Sequence, residues 1–86
     1  MQRIFKYELE LTDEQEVTMP REAVILSVAE QHGRLCLWAQ VTPDNMLERR
    51  TVRIYGTGNP LPTIEGTFVG TVVMSDRTFV WHVFCF

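Results

Sequence analysis

Hydrophobic and polar positions alternate along most of this chain with a period of two. Residues 4–11 put Phe5, Tyr7, Leu9 and Leu11 on one face and Lys6, Glu8 and Glu10 on the other, the pattern of a half-buried strand with a solvated outer face. Thr12-Asp13-Glu14-Gln15 has the spelling of a helix capping box, but no apolar helical period follows it, so it reads as a turn. Val17 and Met19 make a short strand that Pro20 stops, and Arg21-Glu22 forms the next corner. Residues 23–29 are apolar at nearly every position and rich in Val and Ile, which predicts a strand covered on both faces. A helix over residues 21–31 is the competing reading. The tight Gln31-His32-Gly33 link to the apolar run 35–41 favours a hairpin instead.

Thr42-Pro43-Asp44-Asn45 carries the residues of a type I turn. Residues 48–55 then alternate again, with Val52 and Ile54 on one face and Arg49, Thr51, Arg53 and Tyr55 on the other. After a Gly/Pro segment, the β-prone runs 66–74 and 78–86 flank Ser75-Asp76-Arg77 as a second hairpin. The pattern predicts one all-β domain over residues 1–86, a small antiparallel β-sandwich or barrel of about seven short strands with no long helix. The apolar run from Val80 to Phe86 must dock in a sheet or cover a partner, so a homo-oligomer formed through this last strand is an expectation.

Composition narrows the class. At 86 residues the chain holds one domain, which buries roughly 60% of its unfolded surface. Hydrophobic residues at 45% and charged residues at 22% describe a folded protein rather than a disordered one. No apolar run is long enough for a membrane helix, and the first residues lack the apolar stretch of a signal peptide, so no membrane association and a cytoplasmic location are expected. Two cysteines, Cys36 and Cys85, are too few for a disulfide framework and lie in strand patterns as reduced core thiols.

The net charge of −3 is unevenly placed: residues 1–48 hold nine acids against four bases, and residues 49–86 two acids against four bases. An acidic whole, with pI near 5.2, is a poor fit to general nucleic-acid binding, which draws its affinity from phosphate neutralisation. What remains is a local basic patch at Arg49, Arg50 and Arg53.

That patch leads into Arg53-Ile54-Tyr55-Gly56-Thr57-Gly58-Asn59-Pro60-Leu61-Pro62. Gly56 and Gly58 are free to take positive φ, Pro60 and Pro62 are fixed near −65°, and neither proline can donate to a ladder. An ordered irregular connection between strands is predicted, and it is the best candidate for a site. Arg49, Arg53, Tyr55, Gly56, Thr57, Gly58 and Asn59 are its candidate partner- or ligand-binding residues. Backbone N–H groups of a glycine-rich turn can form an anion-binding nest, with Arg49 and Arg53 on the strand feeding it. Structural need alone also explains the glycines, and no phosphate-loop or dinucleotide-binding motif is present.

Other chemistry finds little support. His32 with Cys36 and His82 with Cys85 supply the ligand count of a zinc site, but a three-residue step along a strand points His82 and Cys85 to opposite faces. No metal and no cofactor are expected. Cys36 or Ser75 with His82 has none of the spacing of a nucleophilic site, and Glu8 with Glu10 reads as solvated surface, so the chain is not expected to be an enzyme.

Taken together, Lys6-Tyr7-Glu8-Leu9, Met19-Pro20, Ile25-Leu26-Ser27-Val28, Leu35-Cys36-Leu37-Trp38-Ala39, the Tyr55-Gly56-Thr57-Gly58-x-Pro60-x-Pro62 element and Trp81-His82-Val83-Phe84 resemble a family of small uncharacterised proteins encoded by bacteriophages and prophages. The resemblance runs over essentially the whole chain. It implies a non-virion phage accessory protein acting in the bacterial host cytoplasm, a class that often binds and blocks a host or defence-system protein. The leading expectation is therefore non-catalytic binding of a host bacterial protein. The alternative is capture of an anionic, nucleotide-like small molecule by the Arg49/Arg53 face and the glycine loop, with an enzyme third.

Overall fold

The computed structural model describes residues 1–62 and 66–86, and its regular structure is all β. Seven strands, β1 (Arg3–Glu8), β2 (Glu14–Pro20), β3 (Val24–Gln31), β4 (Arg34–Val41), β5 (Leu47–Gly56), β6 (Thr67–Val73) and β7 (Val80–Cys85), form two antiparallel sheets. One has the order β1-β4-β3 and the other β2-β5-β7-β6, and they pack face to face as a sandwich. The core between them is made by the inward positions that the alternation marks: Met19 from β2, Leu35, Leu37, Ala39 and Val41 from β4, Val52 and Ile54 from β5, and Val83 and Cys85 from β7.

Local chemistry fixes the turns. His32 and Gly33 both take positive φ, 53° and 78°, the type I′ geometry whose twist suits a two-residue hairpin, so residues 24–41 form a hairpin and not a helix. The Asn45 amide donates to the Thr42 carbonyl across 3.0 Å and closes the turn that carries Pro43. Pro20 pairs with Leu47 at the end of β2 with its ring side facing away from β5. The Asp13 carbonyl and the Arg21 amide both bond toward β5, so the even-numbered residues between them point outward.

Three expectations change. β1 ends at Glu8: Leu9 still bonds to Leu35 and is buried, whereas Leu11 has left the strand face and is exposed. Residues 12–15 are only half turn, because Glu14 and Gln15 already pair with Arg53 and Val52. The Gln15 side chain holds the preceding corner by bonding both peptide groups of Glu10. β3 is not covered on both faces. It is an edge strand of its sheet, with Val24 and Leu26 exposed, and its apolar run reflects a bulge between Ile25 and Ser27 rather than two-sided burial.

At the end of the chain, β7 pairs with β5 on one side and β6 on the other, so the apolar run is docked in the sheet, the first of the two outcomes expected for it, with both backbone edges occupied. Its two neighbours consequently run parallel to each other, so the connection from β5 to β6 is a crossover, whose described beginning is residues 57–62.

Arg50 leaves the surface patch for the interior side of β5, as its parity with Val52 dictates. Its Nε donates to the Phe86 carbonyl (3.1 Å), Nη1 to the Ala23 carbonyl (3.2 Å) and Nη2 contacts Cys85 Sγ (3.5 Å). The guanidinium thus ties the β2–β3 corner, where the chain passes from one sheet to the other, to the end of β7. Arg50→Ala is expected to lower stability by about 2–3 kcal/mol in urea unfolding, since partly buried carbonyls lose a charged donor. Arg50→Lys should recover less than half, because an ammonium does not present a planar fork of donors. An Arg50→Ala midpoint equal to the parent's would show the clamp to be idle.

Strain at the β2–β3 corner gives a second test. The Ala23 amide reaches the Pro20 carbonyl (3.3 Å) across a turn in which Glu22 sits at φ 67°, a position that suits glycine. Glu22→Gly should hold or raise stability by up to about 1 kcal/mol, against the usual penalty for a glycine introduced elsewhere in the sheets. A clear loss on thermal melting would show that the Glu22 side chain has a role beyond the turn.

Candidate functional site

Alternation along β5 sends Arg49, Thr51, Arg53 and Tyr55 to the outer face of the four-stranded sheet, and pairing sets their neighbours. Arg53 lies opposite Glu14 of β2 on one side and Phe84 of β7 on the other, and Phe84 in turn lies opposite Phe68 of β6. One step along, Tyr55 lies opposite His82, and His82 opposite Thr71. The face is therefore aromatic at its centre. Tyr55 meets Phe84 edge-on with ring centroids 5.8 Å apart, Phe68 meets Phe84 at 5.3 Å, and the Arg53 guanidinium lies 4.6 Å from the centroid of Phe86. Phe68, on the edge strand β6, is 53% exposed and leaves the outer end of this aromatic row open.

The charges on this face are matched within the sheet. Arg53 Nε donates to Glu14 Oε1 at 2.7 Å, and Arg49 lies 3.4 Å from Glu16 on the same neighbouring strand. The Glu14 hydrogen bond raises the Arg53 pKa above its ordinary value against the opposing effect of desolvation, so the guanidinium is held as a cation already provided with an anion. Arg49 is four residues from Arg53, roughly 13 Å along the strand, and is not part of the same cluster.

The predicted loop crosses this face. The Asn59 amide bonds the Gly56 carbonyl (3.1 Å) across a turn with Gly58 at φ 87° in the third position, the type II arrangement. Gly58 is the left-handed residue; Gly56, expected to share that freedom, does not have positive φ. A side chain at Gly56 would instead meet Asn59 Nδ2 at 2.9 Å and the Trp81 ring at 3.4 Å, so close approach explains that glycine. The imidazole of His82 sits between two hydroxyls, with Thr57 Oγ1 at 2.7 Å from Nε2 and Thr71 Oγ1 at 2.9 Å from Nδ1. The crossover is thereby fastened to the sheet on one side and β6 on the other.

Two depressions flank the crossover. One, of about 510 Å³, is open and mixed, lined by Asp13, Glu14, Arg53, Tyr55, Pro60 and Pro62. The other, of about 290 Å³, is largely apolar and lies between Leu61 and the sheet, against Tyr55, Phe68, His82 and Phe84. Of the seven predicted site residues, Arg53, Tyr55, Gly56, Thr57, Gly58 and Asn59 come together here, and Arg49 stands apart. Phe68, Phe84, Phe86, His82 and Leu61 were not predicted. The parity of His82, Phe84 and Phe86 was visible in the sequence, but only the strand order puts them beside Arg53 and Tyr55.

His82 and Cys85 lie on opposite faces of β7, the separation that a three-residue step imposes. Cys36 and Cys85 are buried free thiols. Among the described residues no group of three or more His, Cys, Asp or Glu side chains converges in a way that could hold a metal ion. No helix of the described residues is long and apolar enough to cross a membrane.

The two glycines of the loop should separate experimentally. Gly58→Ala is expected to destabilise by about 1 kcal/mol, because a Cβ is strained at positive φ although the surrounding space is open. Gly56→Ala should cost less, since the nearest atom is the movable end of Asn59, and its cost should fall further in an Asn59→Ala background. The reverse order in chemical unfolding would contradict the assignment of Gly58 as the left-handed position.

Comparison with known proteins adds a family and no activity. No curated protein and no solved structure matches the chain. A family model aligns with residues 1–85, nearly the whole domain, and the chain accordingly belongs to the family described as a domain of unknown function, DUF7352.

Proposed function

We propose that this domain works by binding, without catalysis, and that the outer face of the β2-β5-β7-β6 sheet is where a protein partner docks. The observation that carries the reading is the partly exposed aromatic row Tyr55, Phe84 and Phe68, bordered on its β2 side by the ion pairs Arg53–Glu14 and Arg49–Glu16. An apolar, aromatic-rich centre inside a charged rim is the anatomy of a protein interface, in which a few large side chains supply most of the affinity. The phage context implied by the Tyr-Gly-Thr-Gly-x-Pro-x-Pro resemblance makes the partner a host bacterial protein, defence components included, met in the bacterial cytoplasm.

The small-anion alternative fits this face less well. Arg53 already donates to Glu14, Asp13 lines the same depression, and the Asn59 amide is taken by Gly56. An anion would have to displace a carboxylate from Arg53 beside a second carboxylate.

The experiment is affinity capture from a bacterial host lysate with the parent domain and with Phe68→Glu, which is expected to keep the parent's circular dichroism because Phe68 is exposed. A docked partner should be retained by the parent and weakened at least about thirtyfold by the variant, the loss of an interface anchor. Equal capture by both proteins would remove the face from consideration. A melting shift produced by a nucleotide panel, with no captured protein, would establish the small-ligand reading in its place.

A further inference from the structure

A two-sheet sandwich has four edges, and in this fold they are not equivalent. The β3 and β6 edges lie against each other at one side of the molecule: a Cβ at Gly70 would stand 3.1 Å from Val28 Cγ2, so the glycine lets the two strands close that corner. The β2 edge presents Glu14, Glu16, Thr18 and Pro20, two carboxylates and a residue without an N–H, the ordinary devices that keep an edge from pairing. β1 has no proline, and the charges on its solvent-facing side, Lys6 and Glu8, are opposite in sign, so they do not repel a second copy as the paired carboxylates of β2 would. The Leu9 amide bonds the Leu35 carbonyl, and the β1–β4 register continues that alternation through Tyr7/Leu37 and Phe5/Ala39. The N–H and C=O groups of Ile4, Lys6 and Glu8 therefore point away from β4, and among the described residues no backbone group pairs with them.

We infer that β1 is a self-association edge, on which a second copy of this chain adds its own β1 antiparallel about a two-fold axis at Tyr7. Charge selects both occupant and register. Residues on the same strand face must meet, so the registers compatible with outward hydrogen bonding are centred on Phe5, Lys6, Tyr7 or Glu8. Centring on Lys6 sets lysine against lysine, and centring on Glu8 sets glutamate against glutamate. Centring on Phe5 puts Lys6 opposite Ile4. Only the Tyr7 register places Lys6 opposite Glu8 of the other copy twice, once on each side of the axis, with the outward peptide groups of both residues hydrogen-bonded.

The inner face agrees. In this register Phe5, 36% exposed because it ends an incomplete row, gains Leu9 of the second copy beside it, and the two Tyr7 rings meet at the axis. The two β1-β4-β3 sheets become one continuous sheet, while the aromatic face of the other sheet stays free. This inference stands on the β1 edge alone, so it and the proposed docking face can fail separately.

Sedimentation of the full chain over a concentration series tests it. The parent is expected to shift from 10.0 kDa toward twice that mass. Lys6→Pro should abolish the shift with an unchanged circular dichroism spectrum, because the lost N–H faces outward and serves no bond within the monomer. Lys6→Glu and Glu8→Lys should each weaken association at least about tenfold by opposing like charges, and an equimolar mixture should restore it as a heterodimer, since each cross-strand pair is then opposite in sign. A parent that stays monomeric throughout, a dimer untouched by Lys6→Pro, or a mixture no tighter than its components would overturn the inference. The charge pair decides the matter even if the proline variant does not fold.

Discussion

Everything distinctive in this molecule follows from the placement of β7 between β5 and β6. A strand hydrogen-bonded on both sides has no free backbone, so an unusually apolar segment is consumed inside the sheet. The same placement makes β5 and β6 parallel neighbours at one remove. Parallel strands cannot be joined by a tight turn, so the connection that leaves β5 at Thr57 has to be a crossover. That journey explains the composition of the segment: a left-handed Gly58 to turn out of β5, and Pro60 and Pro62 in a path that makes no ladder. The same segment brings Leu61 over the sheet, where it and Tyr55, Phe68 and Phe84 line one depression.

A domain this small has little apolar surface to spend, and its core is a single layer of side chains between two sheets. The corner where β2 passes into β3 and the chain ends is held by a different means. Arg50 spreads three donors over acceptors from separate parts of the chain, which an apolar side chain there would leave unpaired. Its three acceptors are a carbonyl of the β2–β3 corner, a carbonyl beyond β7 and a thiol. The basic patch read from three nearby arginines is thus three separate devices: Arg50 is a latch between the β2–β3 corner and the end of β7, Arg53 a cross-strand partner beside an aromatic ring, and Arg49 an exposed ion pair.

The all-β class, the seven strands and most of their boundaries were legible because one buried face per strand imposes period two, and because turn residues such as His32-Gly33 and Thr42 to Asn45 have strong local preferences. Where the reading failed, the deciding information was non-local. Residues 23–29 looked doubly covered, yet an apolar run is also what an edge strand with a bulge can carry when its neighbour is the edge of the other sheet. Val80 to Phe86 was recognised as needing cover, but whether that cover is β5 and β6 or another molecule depends on strand order, which alternation does not encode. The site was half legible for the same reason. Arg53, Tyr55 and the glycine turn lie in one continuous stretch, whereas Phe68, Phe84 and His82 join them only through pairing across β7.

The arrangement of charge bears on what the aromatic face can recognise. A cation that serves a distant anion is free to choose its partner; one fixed at 2.7 Å to a carboxylate on the adjacent strand is not. Because the Arg53–Glu14 pair lies open to solvent, water and salt screen it and an incoming group can compete for it. Yet a competing anion frees Glu14 beside Asp13, and the carboxylates so exposed oppose the anion that displaced them. A partner that leaves the pair intact and covers the rings has no such opposition: it gains apolar area over Phe68 and Phe84, and excludes water from an ion pair that then strengthens in the lower dielectric. Rim charges arranged in this way set orientation and on-rate, and the aromatic centre carries the affinity. The ion pairs and the rings thereby support the same proposed occupant, a protein surface with apolar area over the rings and charges of both signs beside it.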